Sequence, residues 1–157
     1  MNVSIDKIDY QILKRLMEDG RTSYRAIADE TELTDVAIKK RVDSLKRKGV
    51  ISSISADLNL EVLGFESPLF IQIRTDLSKQ KDLVKKIHAL EHVAEMYQVM
   101  GEYNMLLKAV LPDTDSTKEF LNRLGSLDGV IDMKSLMVLE KVKESNSLPS
   151  SVLQKRL

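Results

Sequence analysis

The sequence predicts an α+β chain with two domains, and a change of residue pattern about one third of the way along the chain is the main reason. Before that point, apolar residues recur every three or four positions, as in helices that bury one face. After it, short apolar and alternating runs typical of strands are interleaved with two helical stretches. The chain has 157 residues, of which 43% are apolar, and this is enough for one domain of moderate size or two small ones with a buried core.

The predicted domain boundaries follow these patterns. We assign a helical domain to residues 1–52, a linker strand to 53–64, a strand-rich domain to 65–144 and a C-terminal tail to 145–157. No stretch of about 18 uncharged apolar residues occurs, so no membrane partner is expected. The N-terminus lacks the basic and then apolar order of a signal peptide, and the sequence has no Cys. Both features favour a cytoplasmic protein.

Three short helices are predicted in the first domain. Asp6, Ser23 and Thr34 are candidate N-caps, because short polar side chains accept hydrogen bonds from the free N–H groups of a first helical turn. Glu32 and Leu33 turn the chain before the third helix. Three helices with a short turn before the last one are typical of a helix-turn-helix domain, here expected to be of the winged kind.

The third helix, predicted from Asp35 to about Lys48, has one apolar face and one basic face. Ile38, Val42 and Leu45 share a narrow sector when residues are placed about 100° apart around the axis. The opposite sector holds Val36, Lys40, Asp43 and Arg47, with Lys39 at its edge. A helix of this kind can pack through one face and enter the DNA major groove with the other. The alternative is a solvated surface helix, because basic runs are common on exposed helices.

The predicted DNA contacts come from this helix and from the chain just before it. Val36, Lys39 and Lys40 are candidates for base edges, since an exposed branched residue such as Val36 can touch a thymine methyl group. Phosphate contacts are assigned to Thr22, Ser23, Arg41 and Arg47, and the start of the helix adds Thr34 and Asp35. Arg41 lies so close to the packed face that a structural role is an equal alternative.

The formal net charge is zero, but the charges are unevenly distributed. Residues 1–52 contain 11 Lys/Arg and 9 Asp/Glu, and the rest of the chain contains 13 and 15. A phosphate backbone responds to local charge, so the zero total does not argue against a nucleic-acid partner.

The second domain is predicted to have the order βαββαβ, that of a ferredoxin-like sheet with helices on one side. The predicted strands are 65–75, 93–100, 103–111 and 130–142, and the predicted helices are 79–90 and 115–124. The last strand is apolar on both sides, with Ile131, Met133, Met137 and Leu139 on one side and Val130, Leu136 and Val138 on the other. Because the helices cover only one side, a second copy of the chain is expected on the other. A strand with surplus apolar residues is the alternative.

No coherent catalytic or metal-binding constellation is found, so we expect neither an enzyme nor a cofactor. His88, Glu91 and His92 fit the H-x-x-E-H pattern of some zinc peptidases. The helix that carries His88 is predicted to end near Leu90, however, so the two histidines would not share the helical face that such a site requires. Aromatic residues make up 4% of the chain, which argues against RNA stacking on the sheet.

A turn with polar residues lies between the second and third predicted strands. Gly101 supplies backbone freedom, Tyr103 a hydroxyl group and Asn104 an amide. These residues can form part of a binding site, and a plain hairpin turn is the alternative.

Seven groups of residues spread along the chain carry a family resemblance. They are, in order, Ile5-Asp6-x-x-Asp9-x-x-Ile12-Leu13, Asp19-Gly20-Arg21, Leu33-Thr34, Arg41 with Leu45, Gly49-Val50-Ile51, Leu63-Gly64 and Gly101-x-Tyr103. With them the chain, to about residue 144, resembles the Lrp/AsnC or "feast/famine" transcription regulators. The resemblance implies an N-terminal DNA-binding domain, a C-terminal effector domain, dimers through facing sheets and often octamers. It also implies a small effector, usually an amino acid, bound between dimers near Gly101.

The effector site that the resemblance implies comprises Gly101, Glu102, Tyr103 and Asn104, and we add Ser135 from the last strand. The family usually has Asp where this chain has Asn104. A carboxylate can hold an α-ammonium group by a charge-assisted hydrogen bond, whereas Asn104 offers a neutral carbonyl oxygen. An altered, weaker or absent effector site is therefore an open alternative.

These observations together predict a sequence-specific DNA-binding transcription regulator modulated by a small amino-acid-like effector. The expected partners are double-stranded DNA, the effector and further copies of the chain in a homodimer or octamer. The two helix-turn-helix units of a dimer would read a pseudo-palindrome in successive major grooves. The alternative function is that of an effector-independent architectural protein that coats DNA.

Overall fold

The computed structural model describes residues 3–143, so the predicted tail at 145–157 lies outside the described residues. The described chain forms two compact units, one up to Asp57 and the other from Leu58 to Val142. The first unit contains the helices α1 (Lys7–Glu18), α2 (Tyr24–Thr31) and α3 (Asp35–Arg47). The second contains β1 (Leu69–Thr75), α4 (Gln80–His88), β2 (Val93–Gln98), β3 (Met105–Ala109), α5 (Thr114–Gly125) and β4 (Val130–Met137).

The predicted N-caps of the first three helices are confirmed. Asp6 and Asp9 form a capping box at the start of α1, in which each carboxylate accepts a hydrogen bond from the backbone N–H of the other residue. The hydroxyl oxygens of Ser23 and Thr34 each accept a hydrogen bond of 3.2 Å from a backbone N–H of the helix that follows. Glu32 has a φ of 55°, the left-handed conformation that commonly ends a helix and redirects the chain.

All three helices contribute to the hydrophobic core of the first unit. The buried members of this core are Ile12, Leu13, Ile27, Ala28, Ile38, Val42 and Leu45. On α3, Ile38 and Val42 are 0% exposed and Leu45 is 1% exposed, which confirms the predicted packed stripe. Full burial of a side chain of this size stabilises the folded state by about 1.5–3 kcal/mol.

The segment between α3 and β1 differs from the prediction. Within residues 3–143 there is no strand at 53–64, and no strand hairpin of the kind that forms a wing follows α3. The chain instead turns at residues 60–64, where the Phe65 N–H donates a hydrogen bond of 2.9 Å to the Leu60 carbonyl oxygen. An extended segment becomes a strand only when a neighbouring strand pairs with its backbone groups. This segment has no such neighbour in the described chain.

The second unit contains a four-stranded antiparallel sheet in the order β2-β3-β1-β4. With α4 after β1 and α5 after β3, the connectivity is that of the predicted ferredoxin-like βαββαβ fold. The loop between β2 and β3 is longer than predicted, because β2 ends at Gln98 and β3 begins at Met105. A hydrogen bond of 3.0 Å from the Val99 N–H to the Asn104 carbonyl oxygen closes this loop.

Both helices of the second unit cover the same face of the sheet. Alternate residues of β1, namely Leu69, Ile71, Ile73 and Thr75, are buried on this face. The buried residues of the core beneath the helices are Leu69, Ile71, Ile73, Leu83, Ile87, Leu90, Met105, Leu107, Ala109, Leu111, Phe120 and Leu124. This alternation is the pattern of a strand with one face covered by its own domain.

A bulge in β4 changes which of its residues face the helices. The register shifts between Arg74 and Thr75, so that Ile73 lies opposite Met133 and Thr75 lies opposite Val130. Residues directly opposite each other share a face of the sheet. Val130 and Met133 therefore both face the helices, whereas the strict alternation used in the sequence analysis predicts that they lie on opposite sides.

The outer face of the sheet is consequently less apolar than predicted. Its apolar residues, Tyr97, Leu106, Phe70 and Leu136, form a strip that crosses all four strands. The polar residues around this apolar strip are Gln72, Arg74, Glu95, Lys108, Asp132 and Lys134. Tyr97 and Leu136 are each 50% exposed, so part of the apolar strip remains open to solvent.

Gly129, just before β4, is a position where the fold excludes a side chain. Its φ is 101°, and an added Cβ would lie 3.1 Å from the Lys79 Cβ. Replacing Gly129 with Ala forces an unfavourable backbone conformation. The expected result is a loss of about 1–3 kcal/mol in the free energy of unfolding, measured by urea denaturation.

A matched control for this variant is Gly125→Ala. Gly125 is the last residue of α5, and a Cβ there would meet only the movable Cε end of Met133, at 3.0 Å. This change is expected to alter the free energy of unfolding by less than about 1 kcal/mol. Equal losses in the two variants would show that the conformation of Gly129 has no special importance.

Candidate nucleic-acid interface and small-molecule loop

The face of α3 opposite its buried stripe presents a branched side chain and several basic ones. Val36 is 57% exposed, and Lys39, Lys40 and Arg47 are also exposed. Within residues 3–143, none of these three basic side chains forms an ion pair or a hydrogen bond. Their positive charges are therefore available to an anionic partner such as a phosphate backbone.

A shallow hollow runs along the same face of α3. It is lined by Lys40, Asp43, Lys46 and Arg47. Lys46 is absent from the set of contacts predicted from the sequence. Its position on the hollow adds it to the candidate phosphate contacts.

The hydroxyl groups predicted to contact phosphates differ in whether their proton is free to form a hydrogen bond with a partner. Ser23 and Thr34 accept hydrogen bonds from their own helices, so each hydroxyl proton remains available to a phosphate oxygen at a helix N-terminus. Thr22 instead donates its hydroxyl proton to the Asp19 carbonyl oxygen at 2.7 Å. The Asp35 carboxylate accepts a hydrogen bond of 2.8 Å from the Val36 backbone N–H. This negative charge stabilises the start of α3.

Arg41 links α3 to α1. Its Nη1 donates hydrogen bonds to carboxylate oxygens of Asp6, at 2.7 Å, and of Asp9, at 2.8 Å. Asp9 is 8% exposed, so Arg41 pairs with a mostly buried carboxylate. Of the two roles left open by the sequence, the structure supports the structural one, because the guanidinium group is engaged within the domain.

The pKa values of Asp6 and Arg41, at the two ends of this link, are shifted in opposite directions. The pKa of Asp6 is lowered, first by the hydrogen bond from the Asp9 N–H and also by Arg41. The pKa of Arg41 is raised, first by its hydrogen bond to Asp6 and then by the one to Asp9. Both shifts favour the charged forms, and α1 and α3 are therefore joined by an ion pair at neutral pH.

The loop between β2 and β3 is attached to β4 through Tyr103. The Tyr103 hydroxyl donates a hydrogen bond of 2.6 Å to the Asp132 carboxylate, and the Lys134 Nζ lies 4.2 Å from the centre of the Tyr103 ring. This hydrogen bond is the main reason why the pKa of Asp132 is lowered. Gly101 allows the loop to turn with a φ of 146°, and Glu102 is exposed.

Asn104 uses its side-chain oxygen inside the domain. The Oδ1 atom accepts hydrogen bonds of 3.0 Å from both the backbone N–H and the hydroxyl group of Thr75, which is 4% exposed. The oxygen that an effector's ammonium group would need is thus engaged at the end of β1. The amide N–H groups of Asn104 have no partner within residues 3–143 and can be donated to a ligand.

The structure does not bring Ser135 to this loop. Ser135 lies opposite Ile71, on the face of the sheet that the helices cover. Asp132 and Lys134 lie on the outer face, and both contact Tyr103. These two residues take the place that the sequence analysis assigns to Ser135. Only the register of β4 against β1 reveals this, since the bulge in β4 has no clear signal in the sequence.

His88, Glu91 and His92 do not share a helical face. α4 ends at His88, two residues before the predicted end at Leu90, and Glu91 and His92 lie in the turn that follows. The ring of His92 packs edge-on against that of Phe120 at a centroid distance of 6.2 Å. In the described part of the chain, no group of three or more His, Asp or Glu side chains is arranged to hold a metal ion.

Comparison with known families identifies both units. Residues 5–46 match the AsnC-type helix-turn-helix domain, and residues 69–148 match the Lrp/AsnC ligand binding domain. The chain belongs to the Lrp/AsnC family.

Several transcriptional regulators are similar to this chain over nearly its full length. The HTH-type transcriptional regulator FL11 of Pyrococcus abyssi is 33% identical over 149 residues, covering 95% of this chain and 99% of FL11. The HTH-type transcriptional regulator Ptr1 of Methanocaldococcus jannaschii is 32% identical over 146 residues, covering 92% and 99%.

Solved structures show the same likeness. The structure of E. coli AsnC has a TM-score of 0.86 and 26% identity, covering 94% of this chain and 100% of AsnC. The transcriptional regulator NMB0573 of Neisseria meningitidis, solved as a complex with L-Met, also has a TM-score of 0.86 and 26% identity, covering 96% and 99%.

This Lrp/AsnC protein is a DNA-binding transcription regulator and not an enzyme. The helix-turn-helix match includes α3 as far as Lys46, so the basic face described above belongs to the DNA-binding domain. The ligand-binding match includes the loop that carries Asn104. Among residues 3–143, no helix is both long and apolar enough to span a bilayer.

The link between α1 and α3 predicts a stability effect that is separate from DNA binding. Replacing Arg41 with Ala leaves the mostly buried carboxylate of Asp9 without its cation, and the free energy of unfolding of the first unit is expected to fall by about 1–3 kcal/mol. Urea denaturation followed by the helical circular dichroism signal measures this loss.

Arg47→Ala is the matched control for Arg41→Ala. Arg47 is exposed and unpaired within residues 3–143, so its loss is expected to change stability by less than about 0.5 kcal/mol. If Arg41→Ala unfolded at the same urea concentration as the unmodified Lrp/AsnC protein, the link would contribute nothing measurable.

Proposed function

We propose that the protein regulates transcription as a homodimer that binds pseudo-palindromic DNA, with α3 of each copy in a major groove. The observation that carries the proposal is the exposed face of α3, whose basic side chains Lys39, Lys40 and Arg47 are unpaired within residues 3–143. Because the opposite face is buried in the core of the first unit, this face is the one that α3 can offer to DNA.

The proposed contacts divide by position along α3. Val36, Lys39 and Lys40 lie in its N-terminal half, and a recognition helix contacts base edges with residues from its start to its middle. Lys46 and Arg47 lie in its last turn and are assigned to phosphates. The hydroxyl groups of Ser23 and Thr34 supply further phosphate contacts. Such contacts set the register of the helix on the duplex, and the base contacts select the sequence.

The homodimer is supported by the apolar strip on the outer face of the sheet. Tyr97 and Leu136 are half exposed, and Phe70 and Leu106 lie between them in the strip. A second copy that covers this strip removes its apolar surface from water, which stabilises association by about 25 cal/mol per Å². The octamer that the family resemblance implies stays a prediction.

An architectural protein that coats DNA without an effector is the second candidate. The engagement of the Asn104 oxygen by Thr75 favours it, because a family-like ammonium contact at this position is blocked. Footprinting on promoter DNA separates the two candidates. Protection at discrete sites supports the regulator, and uniform protection along the fragment supports the architectural protein.

Replacing Lys40 with Ala is expected to weaken binding to a selected DNA site. If the contact is to a base, the loss is about 1–3 kcal/mol, and if it is to a phosphate, the slope of log K against log salt concentration falls by about 0.9. Fluorescence anisotropy at several salt concentrations measures both quantities.

Lys81→Ala controls for the loss of one positive charge. Lys81 is exposed on α4, in the second unit, and its replacement is expected to leave DNA affinity unchanged. If Lys40→Ala also leaves both the affinity and the salt slope unchanged, the assignment of this face of α3 to the groove is wrong.

The proposed effector site consists of the loop between β2 and β3 with two residues of β4. The free amide N–H groups of Asn104 and the ammonium group of Lys134 suit the carboxylate of an amino-acid-like effector. Asp132 is the carboxylate that contacts the loop, so it is the proposed acceptor for a positively charged group. The relative NMB0573, whose solved structure is a complex with L-Met, supports an amino acid as the class of effector.

Thermal-shift measurements with amino acids, β-amino acids and N-modified amino acids test this site. An effector that binds only the folded state is expected to raise the melting temperature in a saturable way. At a ligand concentration of 100 times Kd, the free energy of unfolding rises by about 2.7 kcal/mol. Asn104→Asp is expected to tighten binding of ammonium-bearing compounds, since one oxygen can stay with Thr75 while the other accepts from the ligand.

Ser135→Ala is the control for the effector site, because Ser135 lies on the other face of the sheet. It is expected to show the same shifts as the unmodified protein. If no compound shifts either the unmodified protein or Asn104→Asp, the effector part of the proposal fails and the DNA-binding part stands.

A further inference from the structure

Asp43 is an acidic residue within the basic exposed face of α3. It is exposed and lines the shallow hollow with Lys40, Lys46 and Arg47. Those residues are three or four positions away along the helix, a spacing that allows ion pairs on a helix surface. Within residues 3–143, however, the Asp43 carboxylate forms no ion pair or hydrogen bond.

The stability of the helix does not explain Asp43. The other acid of α3, Asp35, accepts a hydrogen bond from the Val36 N–H at the helix start, where the helix dipole favours negative charge. Asp43 lies in the interior of the helix Asp35–Arg47, beyond the reach of that effect. Asp is also a weak helix former at interior positions. A residue that disfavours the local helix and has no stabilising contact in return is a candidate for a functional role.

An acid on this face also opposes general attraction to DNA. Its negative charge repels phosphates and lowers the affinity for every duplex sequence. In the major groove, the same carboxylate can accept a hydrogen bond from the N4 amino group of cytosine. Where no such donor is present, the carboxylate gives up its hydrogen bonds to water and forms none with the DNA. The affinity for that sequence is then lower.

We propose that Asp43 is a specificity-determining residue of the DNA interface, which accepts a hydrogen bond from a cytosine amino group in each half-site and penalises sequences that lack it. The inference rests on the proposed function, in which α3 lies in the major groove. Lys46 and Arg47, which are assigned to phosphates, attract α3 to any duplex, and Asp43 restricts close approach to sequences that offer the donor.

Selection of binding sites from a random duplex library by the full-length protein tests this inference. The unmodified protein is expected to enrich a site with cytosine at one position of each half-site. Asp43→Asn is expected to shift that position toward adenine, because Asn pairs with the N6 and N7 atoms of adenine. In Asp43→Ala, the preference for cytosine over the other bases at that position, roughly 5- to 150-fold in affinity, is expected to be lost. This variant is also expected to bind random DNA more tightly.

Glu119→Gln removes the same charge from an exposed position on α5 and is expected to enrich the unmodified protein's site. If both Asp43 variants enrich that site with unchanged preference at every position, Asp43 does not read bases and the inference is overturned, while the DNA-binding proposal stands. If the unmodified protein enriches no sequence, sequence-specific binding fails and the inference fails with it.

Discussion

The packing of α3 against α1 and α2 is the constraint on which the DNA-binding face depends. Ile38, Val42 and Leu45 are at most 1% exposed, so a rotation of α3 about its axis would expose side chains that each contribute about 1.5–3 kcal/mol when buried. Arg41 holds the same orientation from the side, through ion pairs with the α1 capping box. Because this rotation is fixed, the acidic and basic residues on the opposite side are exposed together on one face of the helix.

A second constraint acts on the loop of the ligand-binding unit. Asn104 is tied to Thr75 at the end of β1, and Tyr103 is tied to Asp132 on β4. The loop connects β2 and β3, and these hydrogen bonds also attach it to β1 and β4. A ligand that binds here must add to these hydrogen bonds or replace them, because the Asn104 oxygen is already used. The side-chain groups that this loop leaves free are consequently set by the sheet register as much as by the loop sequence.

Local patterns in the sequence predicted most of the fold. The predictions that failed concern strands, because strand pairing depends on residues that are distant in the sequence. The caps at Asp6, Ser23 and Thr34 and the order of strands and helices in the second unit are confirmed. The linker strand at 53–64 is absent from the described chain because a strand needs a partner outside its own sequence. The faces of β4 differ from strict alternation because the bulge near Val130 appears only when β4 pairs with β1.

The sequence by itself determined the helix starts, the packed stripe of α3 and the exposed basic face opposite, because these depend on residues within about one or two helical turns of each other. Only the tertiary structure decided what Arg41, Asn104 and Tyr103 do. Their partners are 29 to 35 positions away in the chain, and a polar side chain can bond to any suitable group that folding brings within reach. Pairings of that kind follow from the register of strands and the docking of helices, which no local spacing of residues specifies.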